Sequence, residues 1–182
     1  MLQTHNLKNV KILAVSALFA AISFICGKFL AFNIGDTIRF SFENLPLMLV
    51  GILFGPTVGA VTAISADVIG CLLRGYAINP VLTLAAAFIG FASGLIFKAF
   101  KSFALPVRLT ASVFICHAIG SVIIKTVGLC LWYNLPFYIT VIERTLNYLI
   151  VAGIELAILI VLLKNKAFVN QMTKFTGVKN EL

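Results

Sequence analysis

The chain has 182 residues, of which 61% are hydrophobic and 11% charged, with a net charge of +8. So few charges cannot cover a water-soluble domain of this length, which excludes the soluble classes and points to an integral membrane protein. The surplus of Lys and Arg reads as a cytoplasmic rim, not a nucleic-acid surface, and the lack of strict apolar/polar alternation excludes an outer-membrane barrel.

Long apolar runs predict an all-α fold of six transmembrane helices in a single membrane domain, 1–182. The first span covers about 8–32; basic residues precede its long apolar run, so it reads as a first transmembrane helix and not a cleaved signal. The second, about 42–54, is short. "GPTVG" at 55–59 is a tight turn, because Pro ends one helix and Gly tolerates turn geometry. The third covers about 60–73 and is followed by "RGYAINP". Both are shorter than the roughly twenty residues of a full crossing, so a re-entrant hairpin is the rival reading there. The fourth covers 81–100 and the fifth about 109–132. "YNLPF" then turns the chain into the sixth, about 139–163. The tail, 164–182, reads as polar and cytoplasmic.

Six spans put both termini on one side. That side carries Lys8, Lys11, Lys98, Lys101, Arg108, Lys164, Lys166, Lys174 and Lys179, whereas Lys28, Arg39, Arg74, Lys125 and Arg144 fall towards the other. The first set is larger and lies in flanks and loops, so both termini are expected in the cytoplasm of a multi-pass cell-membrane protein.

The acids are few: Asp36, Glu43, Asp67, Glu143, Glu155 and Glu181. Most ionisable groups away from the cytoplasmic rim gather in the outer half. Charges in hydrocarbon are costly, so such groups pair or line a wet cavity. Asp67, Gly70 and Arg74 fall on one helix face at i, i+3 and i+7. Arg144, Asn147, Val151 and Glu155 share a face of the sixth span, and His117, Ser121 and Lys125 form a looser stripe on the fifth. Each has a plain structural reading: Asp67 and Arg74 as an ion pair, Glu155 as a helix-to-helix contact, His117 as a satisfied core histidine, Lys28 and Lys125 as snorkelling side chains. Ala14, Ala17 and Ala21 put small residues along one face of the first span, where another helix can approach closely, either within the molecule or from a partner.

The cysteines, Cys26, Cys71, Cys116 and Cys130, form no C-x-x-C pair and read as small buried residues. No P-loop, zinc motif or nucleophile elbow occurs, so neither ATP hydrolysis, a metal, a cofactor nor an enzymatic reaction is expected.

"TIRFSFENLPLMLVGILFGPTVGAVTAISADVIGCLL", 37–73, resembles the second and third spans of the substrate-binding S components of energy-coupling factor (ECF) vitamin transporters. The pattern rests on Pro46, Gly51, Gly55, Pro56, Gly59, Asp67 and Gly70, and the alanine face of the first span resembles that family's small-residue motif. "RFSFENLP", "ADVIG" and "GYAINPVLTL" are most similar to the folate-type members. The resemblance implies a bacterial plasma-membrane subunit that captures a folate-like vitamin from outside. It implies docking through Ala14, Ala17 and Ala21 on a transmembrane coupling subunit that carries two cytoplasmic ATPases. A pterin edge offers N–H groups to a carboxylate or amide, hence Asp67, then Asn147 and Asn79. Its glutamate tail calls for Arg39, Arg74, Arg144 or Lys125, and Phe40, Phe42 and Tyr76 offer rings for stacking. Other vitamins of the family (pantothenate, riboflavin, a queuosine precursor) and an autonomous channel or carrier are the alternatives; a membrane enzyme ranks last.

Overall fold

The computed structural model describes residues 9–34 and 38–178, the side chains of 32–34, 38 and 39 excepted. Lys8, Asp36, Lys179 and Glu181 lie outside it, as does the side chain of Arg39. The described chain is nearly all helical: α1 (Val10–Lys28), α2 (Asn44–Phe54), α3 (Pro56–Arg74), α4 (Pro80–Ala99), α5 (Leu105–Cys116), a π-helical segment (His117–Ile124), α6 (Lys125–Tyr133), α7 (Phe137–Lys164) and α8 (Lys166–Thr176). A two-stranded antiparallel ribbon joins α1 to α2, with β1 (Phe32–Ile34) paired to β2 (Ile38–Phe40).

Five helices are long and apolar enough to cross a membrane: α1, α3, α4, the continuous rod Leu105–Tyr133, and α7. The third span is longer than its sequence reading, because Pro56 does not delay the helix but starts it. Gly55, at φ 102°, ends α2 and positions Pro56 at the first helical position, where its missing N–H has no helical partner to lose. The same rule moves other starts forward. Pro80 opens α4, Pro106 sits in the first turn of α5, and Pro136 caps α7.

α2 has 11 residues, about 16 Å of rise against a hydrocarbon core of ~30 Å, so it is no full crossing by itself. It is buried on every side and forms the centre of the bundle, with Met48, Leu49, Val50 and Phe54 in the core beside Ile12 of α1 and Ile89 of α4. Its neighbours come unusually close. A Cβ on Gly51 or Gly59 would collide with the Gly90 carbonyl oxygen; one on Gly90 or Gly94 would collide with the carbonyls of Gly59 or Gly51. Backbone therefore packs directly on backbone where α2, α3 and α4 meet, the contact that drives helix association when lipid is the solvent.

Within the tail that reads as polar in sequence, Lys166–Thr176 forms the amphipathic helix α8. Asn165 caps it, its side-chain oxygen accepting from the N–H groups of Ala167 (3.0 Å) and Phe168 (3.3 Å). Phe168, Val169 and Met172 pack on the core, and the Asn9 side chain donates to the Thr176 carbonyl at 3.0 Å, tying α8 to the start of α1.

Candidate functional site

A cavity of about 50 Å³ opens between α1, α2, α3, α4 and α6. Asp67, Gly70 and Arg74 line it from α3, as their spacing predicts, and Lys125 faces them from the start of α6. Gly75 adopts the left-handed conformation at φ 70°, ends α3 there and leaves Arg74 in the last turn. The Arg74 guanidinium lies 5.4 Å from the centroid of the Phe24 ring, which also lines the cavity.

Asp67 does not pair with Arg74. Seven residues on one helix separate them by about 10 Å of rise, and Asp67 instead accepts a 2.6 Å hydrogen bond from the Thr83 hydroxyl on α4. Lys125 donates to a Glu43 carboxylate oxygen at 3.1 Å and to the Asn44 side-chain oxygen at 3.4 Å. Ser23 fixes the Glu43 backbone, donating to its carbonyl at 2.6 Å. The cavity thus presents two acids, Asp67 and Glu43, and two bases, Arg74 and Lys125, on converging walls. Such a wall suits a ligand that carries both hydrogen-bond donors and anionic groups.

The family model described as "ECF transporter, substrate-specific component" matches residues 11–169. The chain belongs to that family. Members of this family are substrate-binding subunits of transporters and not enzymes. The fold of this ECF component is similar to three solved structures. FolT bound with folic acid gives a TM-score of 0.65 at 22% identity, covering 90% of this chain and 93% of that one. ThiT from Listeria monocytogenes gives 0.68 at 20%, covering 89% and 98%. The S component for biotin from an ECF-type ABC transporter gives 0.65 at 19%, covering 86% and 92%. An uncharacterized MG313 homolog of Mycoplasma pneumoniae is 35% identical over 69 residues, 38% of this chain and 24% of that protein. The matched stretch therefore spans about a quarter of that curated relative.

Other residues that stand out in the sequence sit elsewhere in this ECF component. Asn79 is buried as the cap of α4, accepting from Val81 N–H at 3.0 Å and donating to the Gly128 carbonyl at 3.2 Å. Arg144 turns to the π-helical segment, donating to the Ser121 carbonyl at 2.9 Å, and lies 5.3 Å from the Tyr148 ring. Asn147 is buried on α7, and Phe42 is half-buried just before α2. None of these four lines the cavity. Conversely, Ser23, Phe24, Glu43 and Asn44 line it, although helical spacing alone does not mark them as ligand contacts. The polar pair Glu43–Asn44 directly before an apolar run is the available signal. His117 and Glu155, which read one at a time as core residues, are partners: His117 Nε2 lies 2.6 Å from Glu155 Oε2, both fully buried.

Ala14, Ala17 and Ala21 are all exposed on α1. Ala17 and Ala21 line a separate groove of about 460 Å³ between α1 and α3, whose far wall includes Val61, Ser65 and Ile69. Phe24 and Ala66 border both this groove and the polar cavity.

Proposed function

We propose that this chain is the high-affinity capture subunit of an ECF importer for a folate-like vitamin, with both termini in the cytoplasm and the cavity facing outward in a bacterial plasma membrane. The observation that carries the reading is the convergence of Asp67, Arg74 and Lys125, from two different elements, on one cavity. Asp67 suits the N–H edge of a pterin, and Arg74 and Lys125 suit the carboxylates of a glutamate tail. Similarity in fold to FolT bound with folic acid supports the vitamin class. Similarity of the same order to ThiT and to a biotin S component keeps other vitamins as the competing reading.

The cavity is far smaller than the roughly 300–1,000 Å³ of small-molecule sites. Capture therefore requires its walls to part. Arg74, a long side chain in the last turn of α3 with its guanidinium over Phe24, is the part of the wall that can swing without moving a helix. Purification in mild detergent followed by extraction is expected to release one tightly held pteridine compound, identified by absorbance and mass. A stoichiometric flavin or another vitamin overturns the folate assignment and keeps the capture role; liposomes of this chain alone that conduct ions overturn both.

Transport needs a partner that supplies the ATPase, a transmembrane coupling subunit with two cytoplasmic ATPases. The exposed small residues at Ala14, Ala17 and Ala21, with the groove beside them, are the docking surface in this reading. Ala17→Leu or Ala21→Leu fills the groove and leaves the cavity's polar wall intact. Each is expected to lower ATP-driven uptake in reconstituted vesicles while ligand affinity in detergent stays within about twofold. Normal uptake by both variants would sink the docking assignment.

A further inference from the structure

Behind Lys125, four buried polar groups run away from the cavity into the bundle. The Asn44 side-chain amide donates to Ser121 Oγ (3.5 Å), Ser121 Oγ meets His117 Nδ1 (3.0 Å), and His117 Nε2 meets Glu155 Oε2 (2.6 Å). Asn44 and His117 are 1% and 2% exposed; Ser121 and Glu155 are 0% exposed. The residues come from α2, the π-helical segment and α7, so this is a cross-bundle assembly and not a local turn.

With Glu155 ionised and His117 neutral, the direction of every bond follows from chemistry. Lys125 is a donor only, so the Asn44 atom facing it at 3.4 Å is the amide oxygen. The amide nitrogen then faces Ser121, also as a donor. A neutral imidazole beside a carboxylate at 2.6 Å places its proton on Nε2, which leaves Nδ1 bare to accept from Ser121. Ser121 thus accepts from Asn44 and donates to His117 with its single hydroxyl proton. Donors point one way from the Lys125 ammonium to the Glu155 carboxylate, and each bond polarises the next.

We propose that this one-way run of donors fixes the orientation of Asn44 and Lys125 in the cavity wall. Ser121, His117 and Glu155 are then positioning residues for ligand recognition, and Asn44 is a specificity-determining contact. Locked in this way, Asn44 can offer the cavity only its carbonyl oxygen. A ligand N–H is accepted beside Lys125, and a group that needs a donor from Asn44 is refused. The inference rests on the capture reading above, and it assigns to the buried Glu155–His117 pair a role in the site it never touches. A purely structural pair would carry the same Nε2 proton against the carboxylate, so the tautomer tests the donor run, and the effect of Ser121 on ligand affinity separates positioning from mere packing.

The test has two arms. Nitrogen NMR of ¹⁵N-histidine-labelled protein, with His5→Gln removing the other histidine's signals, is expected to show His117 protonated at Nε2 and bare at Nδ1. Protonation at Nδ1 overturns the proposal, since Ser121 would then be an acceptor from both sides. In the second arm, calorimetric titration with folic acid is expected to show affinity weakened about tenfold in Ser121→Ala and restored to within about threefold in Ser121→Thr, which regains the hydroxyl. Unchanged affinity in Ser121→Ala overturns the proposal. Wild-type protein that takes up no folic acid overturns the folate reading instead and leaves the histidine tautomer to decide the donor run. The NMR arm uses no variant in the run itself, so a proton on Nδ1 overturns the proposal even where Ser121→Ala misfolds.

Discussion

Gly90→Ala is expected to destabilise the protein severely, whereas Gly153→Ala leaves it at least as stable as wild type. Both glycines lie inside long helices, and both substitutions gain the same intrinsic helix propensity, about 1 kcal/mol. What differs is the space. A Cβ at Gly153 meets nothing within 4 Å. One at Gly90 runs into the Gly59 carbonyl of α3 and lies 3.1 Å from the Ala63 Cβ, and backbone cannot rotate away as a side chain can. α3 and α4 must separate, which also loosens the contacts of Gly51 and Gly94 at the same crossing. Overpacking of this kind costs roughly 1–3 kcal/mol and more where the backbone has to move. In a bundle whose helices associate by close packing and not by water exclusion, that loss falls on the main cohesive contact. Thermal unfolding in detergent, followed by tryptophan fluorescence or by aggregation onset, should show Gly90→Ala several degrees below wild type, Gly90→Val unfolded, and Gly153→Ala unshifted. Equal midpoints for Gly90→Ala and Gly153→Ala would mean that the helices do not touch through their backbones.

That crossing also shows how far the sequence is readable. The recurrence of Gly51, Gly55 and Gly59 is visible without coordinates, but it serves two purposes that the sequence does not separate. Gly55 has the φ of 102° that a turn between α2 and α3 requires, while Gly51 and Gly59 supply clearance for α4. Helix identities are legible because long apolar runs admit little else in a membrane. A proline read only as a stop places the helix start too late, as at Pro56 and Pro80, where the ring opens the first turn. The ribbon of β1 and β2 and helix α8 escape for a different reason. Both are short, and α8 balances polar and apolar residues so evenly that only its periodicity, Phe168, Val169 and Met172 on one side, marks it as a helix.

The cavity is legible on the face where one helix supplies the wall. Asp67, Gly70 and Arg74 are related by helical spacing alone, and they share a wall. The opposite wall comes from α2, which is buried all round, so no polar face distinguishes Asn44 from its neighbours. Arg144 and Asn147 share a stripe with Glu155, as the spacing says, but a stripe does not reveal which neighbour it meets. Arg144 meets the Ser121 carbonyl, and Glu155 meets His117. The π-helical turn that carries His117 and Ser121 has no sequence signal here, since its backbone geometry is set by packing and not by local residue preference.

Asp67→Asn is expected to weaken folic acid binding at least about tenfold with expression and thermal midpoint close to wild type, and Thr83→Val to weaken it by less than about threefold. The carboxylate is half-buried on the cavity wall, and Thr83 is its partner on α4, at 2.6 Å. An amide of the same shape still accepts from the Thr83 hydroxyl, so α3 and α4 stay joined and the fold has no reason to fail. What the amide loses is the negative charge and one of two acceptor oxygens. A hydrogen bond to a charged group contributes about 1.5–3 kcal/mol against about 1 for a neutral one, and each 1.4 kcal/mol is a factor of about ten in affinity. Thr83→Val makes the opposite cut. It removes the structural partner and leaves the full carboxylate for the ligand, at the cost of a donor that held it in place. The two variants therefore separate ligand contact from tethering as the role of Asp67. If ligand contact dominates, affinity falls in Asp67→Asn and stability barely moves in either. If Asp67 is only a tether between α3 and α4, affinity holds in both while Thr83→Val lowers the thermal midpoint. Titration and unfolding measured on the same preparations read out both quantities, and unchanged affinity in Asp67→Asn would remove this residue from the site.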